Sequence, residues 1–166
     1  MTNNSDSPAT AYYLVGDIGG TNARFAFMSP GERRPSPLAR YLVADFANFD
    51  DVLSRLLKDW HALGLPKGGP TKTCLAVAAP PHLNTISFTN SPWRFDSALL
   101  KTYLAHSSID IINDFAAVGY ALTALEAADV EQVGAGVSQA YQPMVAIGPG
   151  TGTGVATVVF DTKQRP

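Results

Sequence analysis

The segment Thr73–Ala79 (Thr-Cys-Leu-Ala-Val-Ala-Ala) offers no side chain suited to facing water and stops at Pro80-Pro81. A run of that kind is a strand buried on both faces, so it belongs in the middle of a sheet covered by helices. The rest of the chain supplies the neighbours. Tyr12–Gly16 reads as a strand entering the turn Asp17-Ile18-Gly19-Gly20-Thr21-Asn22, Ala23–Met28 as a second strand and Leu38–Asp45 as a third. Short connections make these three an antiparallel meander. Phe49, Val52, Leu53, Leu56, Leu57, Trp60 and Leu63 recur at spacings of three and four, with Asn48 placed to cap and Gly64 and Pro66 to end the helix.

Beyond the central strand, 84–90 is expected to form a short strand, and Asp96 to open a helix turning Leu99, Leu100, Tyr103 and Leu104 inward. Ile109–Ile112 is a strand running into Asn113-Asp114 and a helix from about Phe115 to Ala127. Met144–Ile147 and Val155–Phe160 are strands flanking a second glycine run, Gly148–Gly154, with no later helix to cover them. The order gives an α/β fold, a mixed sheet with helices packed on it. The expected organisation is a disordered tail over 1–11, a first lobe over 12–143, and the first hairpin of another lobe over 144–166.

Hydrophobic residues make up 46% of the 166 and charged residues 16%, so the chain can bury a core and is lightly charged. The net charge of −2, with Arg33-Arg34 the one adjacent basic pair, gives no basic face for nucleic acid. The single cysteine, Cys74, lies in the central strand and reads as a packed thiol in a reducing compartment. The first ten residues are polar with no apolar signal core, and 115–128 is too short and too polar to span a bilayer. A cytoplasmic location without membrane contact is expected.

Three features can carry chemistry. Asp17 to Asn22 combines a carboxylate at a strand end with two glycines and two small hydrogen-bonding side chains, which suits a metal-bound phosphate. A hairpin turn needing glycine explains the same residues equally well. The second run, Gly148 to Gly154, alternates glycine with Pro149, Thr151 and Thr153; it lacks the lysine of the Walker A pattern and misses the dinucleotide fingerprint. It is either a phosphate-wrapping turn or a plain hairpin. Asn113-Asp114 lies at the carboxyl end of a strand and the start of a helix, where a carboxylate can accept a hydroxyl proton and the amide can orient the same polyol. An ordinary helix cap is the competing reading. Arg24 approaches phosphate, makes a cross-strand ion pair or is a solvated strand residue. His61, His82 and His106 are too dispersed for a zinc site.

Together the motifs narrow the choice. Val15-Gly16-Asp17-Ile18-Gly19-Gly20-Thr21-Asn22-Ala23-Arg24, Thr89-Asn90-Ser91-Pro92-Trp93, Ile111-Ile112-Asn113-Asp114-Phe115 and Gly150-Thr151-Gly152-Thr153-Gly154 resemble, in order and spacing, the bacterial glucokinase family. The resemblance implies the ribonuclease-H-like fold of the sugar kinase, actin and Hsp70 superfamily. It also implies transfer of the ATP γ-phosphoryl group to the 6-hydroxyl of glucose with Mg²⁺, at the entry to glycolysis. On that footing Asp17 lies near the metal, and Gly19, Gly20, Thr21 and Asn22 form the first phosphate loop. Gly150, Thr151, Gly152 and Thr153 form the second. Asn113 is a sugar ligand, Asp114 is the catalytic base and a sugar ligand, and Asn90 lies at the sugar cleft. The family further implies a homodimer of the full-length protein.

Two departures stand out. Ala79-Pro80-Pro81-His82-Leu83-Asn84 lacks the glycine and aspartate usual in that family loop. The downstream glutamate, the Gly-Gly-His sugar ligands and the adenosine site of the family are not in these 166 residues, so the segment is expected to be weak or inactive alone. A non-catalytic sugar-binding or regulatory module is the alternative.

Overall fold

The computed structural model describes residues 11–36, 38–64, 69–82, 85–88, 91, 93–104, 107–149 and 153–166. The expected tail over 1–11 lies outside them except for Ala11, as do Thr89, Asn90, His106, Gly150, Thr151 and Gly152. Contacts divide the chain into two compact units, between Ile112 and Asn113.

In the first unit, β1 (Tyr13–Ile18), β2 (Asn22–Met28), β3 (Leu38–Leu42), β4 (Lys72–Val77) and β7 (Ser108–Asn113) form one sheet in the order β3-β2-β1-β4-β7. The meander is antiparallel, and β1 runs parallel to β4 with Val15 opposite Cys74. β4 lies between β1 and β7, inside the sheet as its apolar run requires, although the middle strand of the five is β1. Period-two alternation turns Leu14, Ile18, Ala23, Phe25, Phe27, Leu75 and Val77 to one face. There α1 (Phe49–Ala62) packs its buried Phe49, Val52, Leu53, Leu56 and Trp60. Asn48 caps this helix by accepting from the Asp51 N–H, and Gly64 leaves it with φ +78. Leu63, expected on the apolar stripe, falls beyond the last turn and is exposed.

A second ribbon, β5 (Thr85–Ser87) with β6 (Arg94–Asp96), closes the core with Ile86, Trp93 and Phe95; the Phe95 ring stacks on Phe49 at 4.3 Å. β6 was not expected, because three residues that follow Trp93 and end in the helix cap Asp96 carry no readable period. α2 (Ser97–Tyr103), capped by Asp96, has only two turns, so Leu100 and the following Leu104 reach the core while Leu99 faces solvent, against expectation. β3 also ends earlier than expected. From Val43 to Asp45 the chain forms a 3-10 turn that buries Val43 and donates its N–H to Thr21 O, leaving the ladder.

The second unit holds α3 (Asp114–Leu122) and the antiparallel hairpin β8 (Met144–Pro149) and β9 (Thr153–Val158). α3 stops short of the expected Ala127. Its last carbonyls are taken by the Thr123 hydroxyl and by the N–H groups of Thr123 and Ala124, and a separate 3-10 turn follows at Ala127–Asp129. The hairpin is covered from before rather than after, by α3. Gly119 lets the backbones approach, since a Cβ there would lie 3.3 Å from that of Ala156. No helix of the described residues is long and apolar enough to cross a membrane.

Candidate functional site

The first turn is set by its strands. Asp17 and Arg24 are cross-strand partners, so both project from the same face of the β1–β2 hairpin, and Arg24 Nη1 donates to Asp17 Oδ2 at 2.6 Å. Of the three readings of Arg24, the ion pair is the one present. Both side chains are about half exposed, which keeps such a pair weak. Inside the turn the Gly19 N–H donates to Asn22 O, Thr21 O accepts from Val43, and Asn22 Oδ1 accepts from Arg40 Nε. The N–H groups of Gly20 and Thr21 and the Thr21 hydroxyl have no partner among the described residues. Unpartnered backbone and hydroxyl donors in a turn that follows a carboxylate in sequence are groups a metal-bound phosphate can use.

Gly16, just before this turn, has a different reason for being glycine. A Cβ there would lie 2.8 Å from Leu75 Cδ2 and 3.1 Å from Phe25, so the residue serves the core.

Asn113 ends β7 and caps α3. Its Oδ1 accepts from the N–H groups of Phe115 (3.0 Å) and Ala116 (3.3 Å), while its Nδ2 has no partner among the described residues. Asp114 Oδ1 also accepts from the Phe115 N–H, and its Oδ2 has no partner among the described residues. The cap and the ligand readings are therefore compatible. Oxygen atoms hold the helix start, and an amide donor and a carboxylate oxygen remain for a hydroxyl-bearing molecule.

In the hairpin, Gly148 and Gly154 face each other across the ladder, and Pro149 faces Thr153, an exposed residue at the start of β9. The Phe115 ring lies on the glycine pair. A Cβ added at Gly148 would come within 2.5 Å of Phe115 Cζ, and one at Gly154 would overlap the ring. These two glycines thus have a packing role that the sequence did not reveal. The clue was present: a bulky aromatic after Asn-Asp, and bare positions at matching register.

Other side chains sort into support. Trp93 is buried and its Nε1–H donates to Phe46 O at 3.0 Å, so it anchors the core. Cys74 is half buried, and burial, with the Asp110 charge second, pushes its thiol pKa up, so it stays a protonated packing group. No group of three or more His, Cys, Asp or Glu arranged for a metal occurs among the described residues. Asp17 keeps one carboxylate oxygen, Oδ1, outside its pair with Arg24, which is the donor type that magnesium takes alongside substrate phosphates.

This mixed sheet with flanking helices, a glycine-rich strand-turn-strand unit and a strand-Asn-Asp-helix junction has the architecture of the sugar kinases of the actin-like ATPase fold. The chain belongs to the glucokinase family, whose model matches residues 14–166. The glucokinase of Colwellia psychrerythraea is 36% identical over 146 residues, covering 88% of this chain and 43% of that protein. The crystal structure of a glucokinase from an Antarctic psychrotroph superposes with a TM-score of 0.79 at 30% identity, over 92% of this chain and 48% of the other. A ROK family glucokinase from Streptomyces griseus, solved in complex with glucose and AMPPNP, shares the fold at 15% identity and a TM-score of 0.61, over 90% of this chain and 45% of its own. The chain spans less than half the length of the curated relatives it matches.

Proposed function

We propose that the whole protein is a glucokinase, transferring the γ-phosphoryl group of ATP to the 6-hydroxyl of glucose. This chain would contribute both phosphate turns and the base. The observation that carries the reading is the junction of β7 and α3, where Asn113 Nδ2 and Asp114 Oδ2 stay free although both residues hold the helix start. Asp114 takes the proton as the sugar oxygen attacks, and Asn113 donates to a sugar hydroxyl and fixes its direction. The free N–H groups of Gly20 and Thr21 bind phosphate oxygens, with Asn22 and Gly19 holding the turn. Gly150, Thr151, Gly152 and Thr153 are assigned to the second phosphate loop, and Asn90 to the sugar cleft, by family position. Asp17 is the residue that would hold a magnesium ion, which, bound with the nucleotide, neutralises phosphate charge. A cytoplasmic dimer accords with the family.

Coupled glucose phosphorylation by the full-length protein tests this. The wild type is expected to be active with MgATP, and Asp114→Asn to lose about 10²- to 10⁴-fold in kcat with glucose KM nearly unchanged. Absence of phosphorylation by the wild type at high glucose, or a fully active Asp114→Asn, overturns the reading.

A further inference from the structure

We infer that Phe115 is a positioning residue that locks the proposed base to the root of the second phosphate turn; this rests on the function proposed above. Three observations converge within the second unit. Phe115 directly follows Asn113-Asp114, and its N–H is the donor that both of those side chains accept, so its backbone is fixed by the same hydrogen bonds that orient the pair. Its ring reaches the hairpin and occupies a notch made by the absence of side chains at Gly148 and Gly154. Those glycines bracket Pro149 and Thr153, the last described residues on either side of the Gly/Thr turn.

One residue therefore meets the proposed sugar pair through its main chain and the glycines flanking the second turn through its ring. Its main chain belongs to the sugar end and its ring to the nucleotide end. Packed interiors transmit displacement because they lack free volume, and a reacting geometry misplaced by about 1 Å loses roughly 10²-fold in rate. The notch makes the fit one-sided. A methyl group at 154 has no room while the ring is present, and a smaller residue at 115 leaves the hairpin root without its support.

The test uses the full-length protein and the variants Phe115→Leu, Gly154→Ala and the two combined, each checked for folding by circular dichroism. Phe115→Leu is expected to lower kcat about tenfold or more while glucose KM stays within about threefold, because the free atoms of Asn113 and Asp114 remain. Gly154→Ala should be worse, and the double variant better than Gly154→Ala alone, since the smaller side chain makes room for the new methyl group. Hydrogen exchange over 144–158 should rise in Phe115→Leu with exchange over 13–28 unchanged. A folded Phe115→Leu with wild-type kcat, or additive effects in the double variant, overturns the inference. A wild type that does not phosphorylate glucose fails the function instead, and the exchange readout then still reports whether the ring holds the hairpin root.

Discussion

Under the proposed function, Asn113 serves fold and chemistry with different atoms: Oδ1 accepts two helix N–H groups, and Nδ2 has no partner among the described residues. The two roles separate by substitution. Asn113→Ser keeps a capping oxygen, so stability should hold within about 0.5 kcal/mol while glucose KM rises, and Asn113→Ala should lose about 1 kcal/mol as well. Thermal unfolding and steady-state kinetics on the same samples read both. Tyr41 is a purely structural counterpart. Burial, then the hydrogen bond its hydroxyl donates to Asp59 at 2.9 Å, pushes its pKa up to about 12. Burial alone would raise Asp59, but hydrogen bonds from Arg55 and Tyr41 outweigh it and hold that carboxyl low. A tyrosine raised above its unfolded value near 10 contributes fully below pH 10, and the contribution disappears as pH climbs toward 12. The stability difference between wild type and Tyr41→Phe, from urea unfolding at pH 8 and pH 11.5, should therefore shrink at the higher pH.

Elements were legible where local chemistry and period agree. Asn48 followed by five buried residues at helical spacing identifies α1 from sequence, and the structure forms that helix with the Asn48 cap. Asn48→Ala should cost about 1 kcal/mol, and Asn48→Asp almost nothing, in denaturant unfolding. Legibility failed where tertiary hydrogen bonds decide. Nothing near Leu42 says that Val43 will leave the β3 ladder to donate to Thr21; the end of α3 is different, since the bonds of Thr123 and Ala124 that close it are local and three residues long. The candidate site divides in the same way. Motif order nominated Asp17, the first glycine turn and Asn113-Asp114 as a set, since each alone reads equally well as a hairpin turn or a helix cap. The Phe115 ring on Gly148 and Gly154 joins positions over thirty residues apart, and glycines read as loop residues were in part packing residues.

At the scale of the molecule, burial is distributed unequally. The large core cluster, from Tyr12 through Leu104, belongs to the first unit, whereas Gly119, Ala146 and Val158 are the buried residues of the second among those described. The hairpin also leaves Val145, Ile147 and Val155 exposed on the face opposite α3. At about 25 cal/mol per Å² of apolar surface removed from water, so few buried side chains give the second unit little protection of its own. Both tryptophans, Trp60 and Trp93, lie in the first unit with 2% and 1% exposure, so their emission reports that core alone. In urea, the 166-residue chain should therefore lose hydrogen-exchange protection over 113–158 at lower concentrations than those that shift tryptophan emission. Circular dichroism should begin its transition before fluorescence does. Coincident transitions by all three probes would mean instead that the units unfold as one cooperative body, with the large core carrying the small hairpin unit.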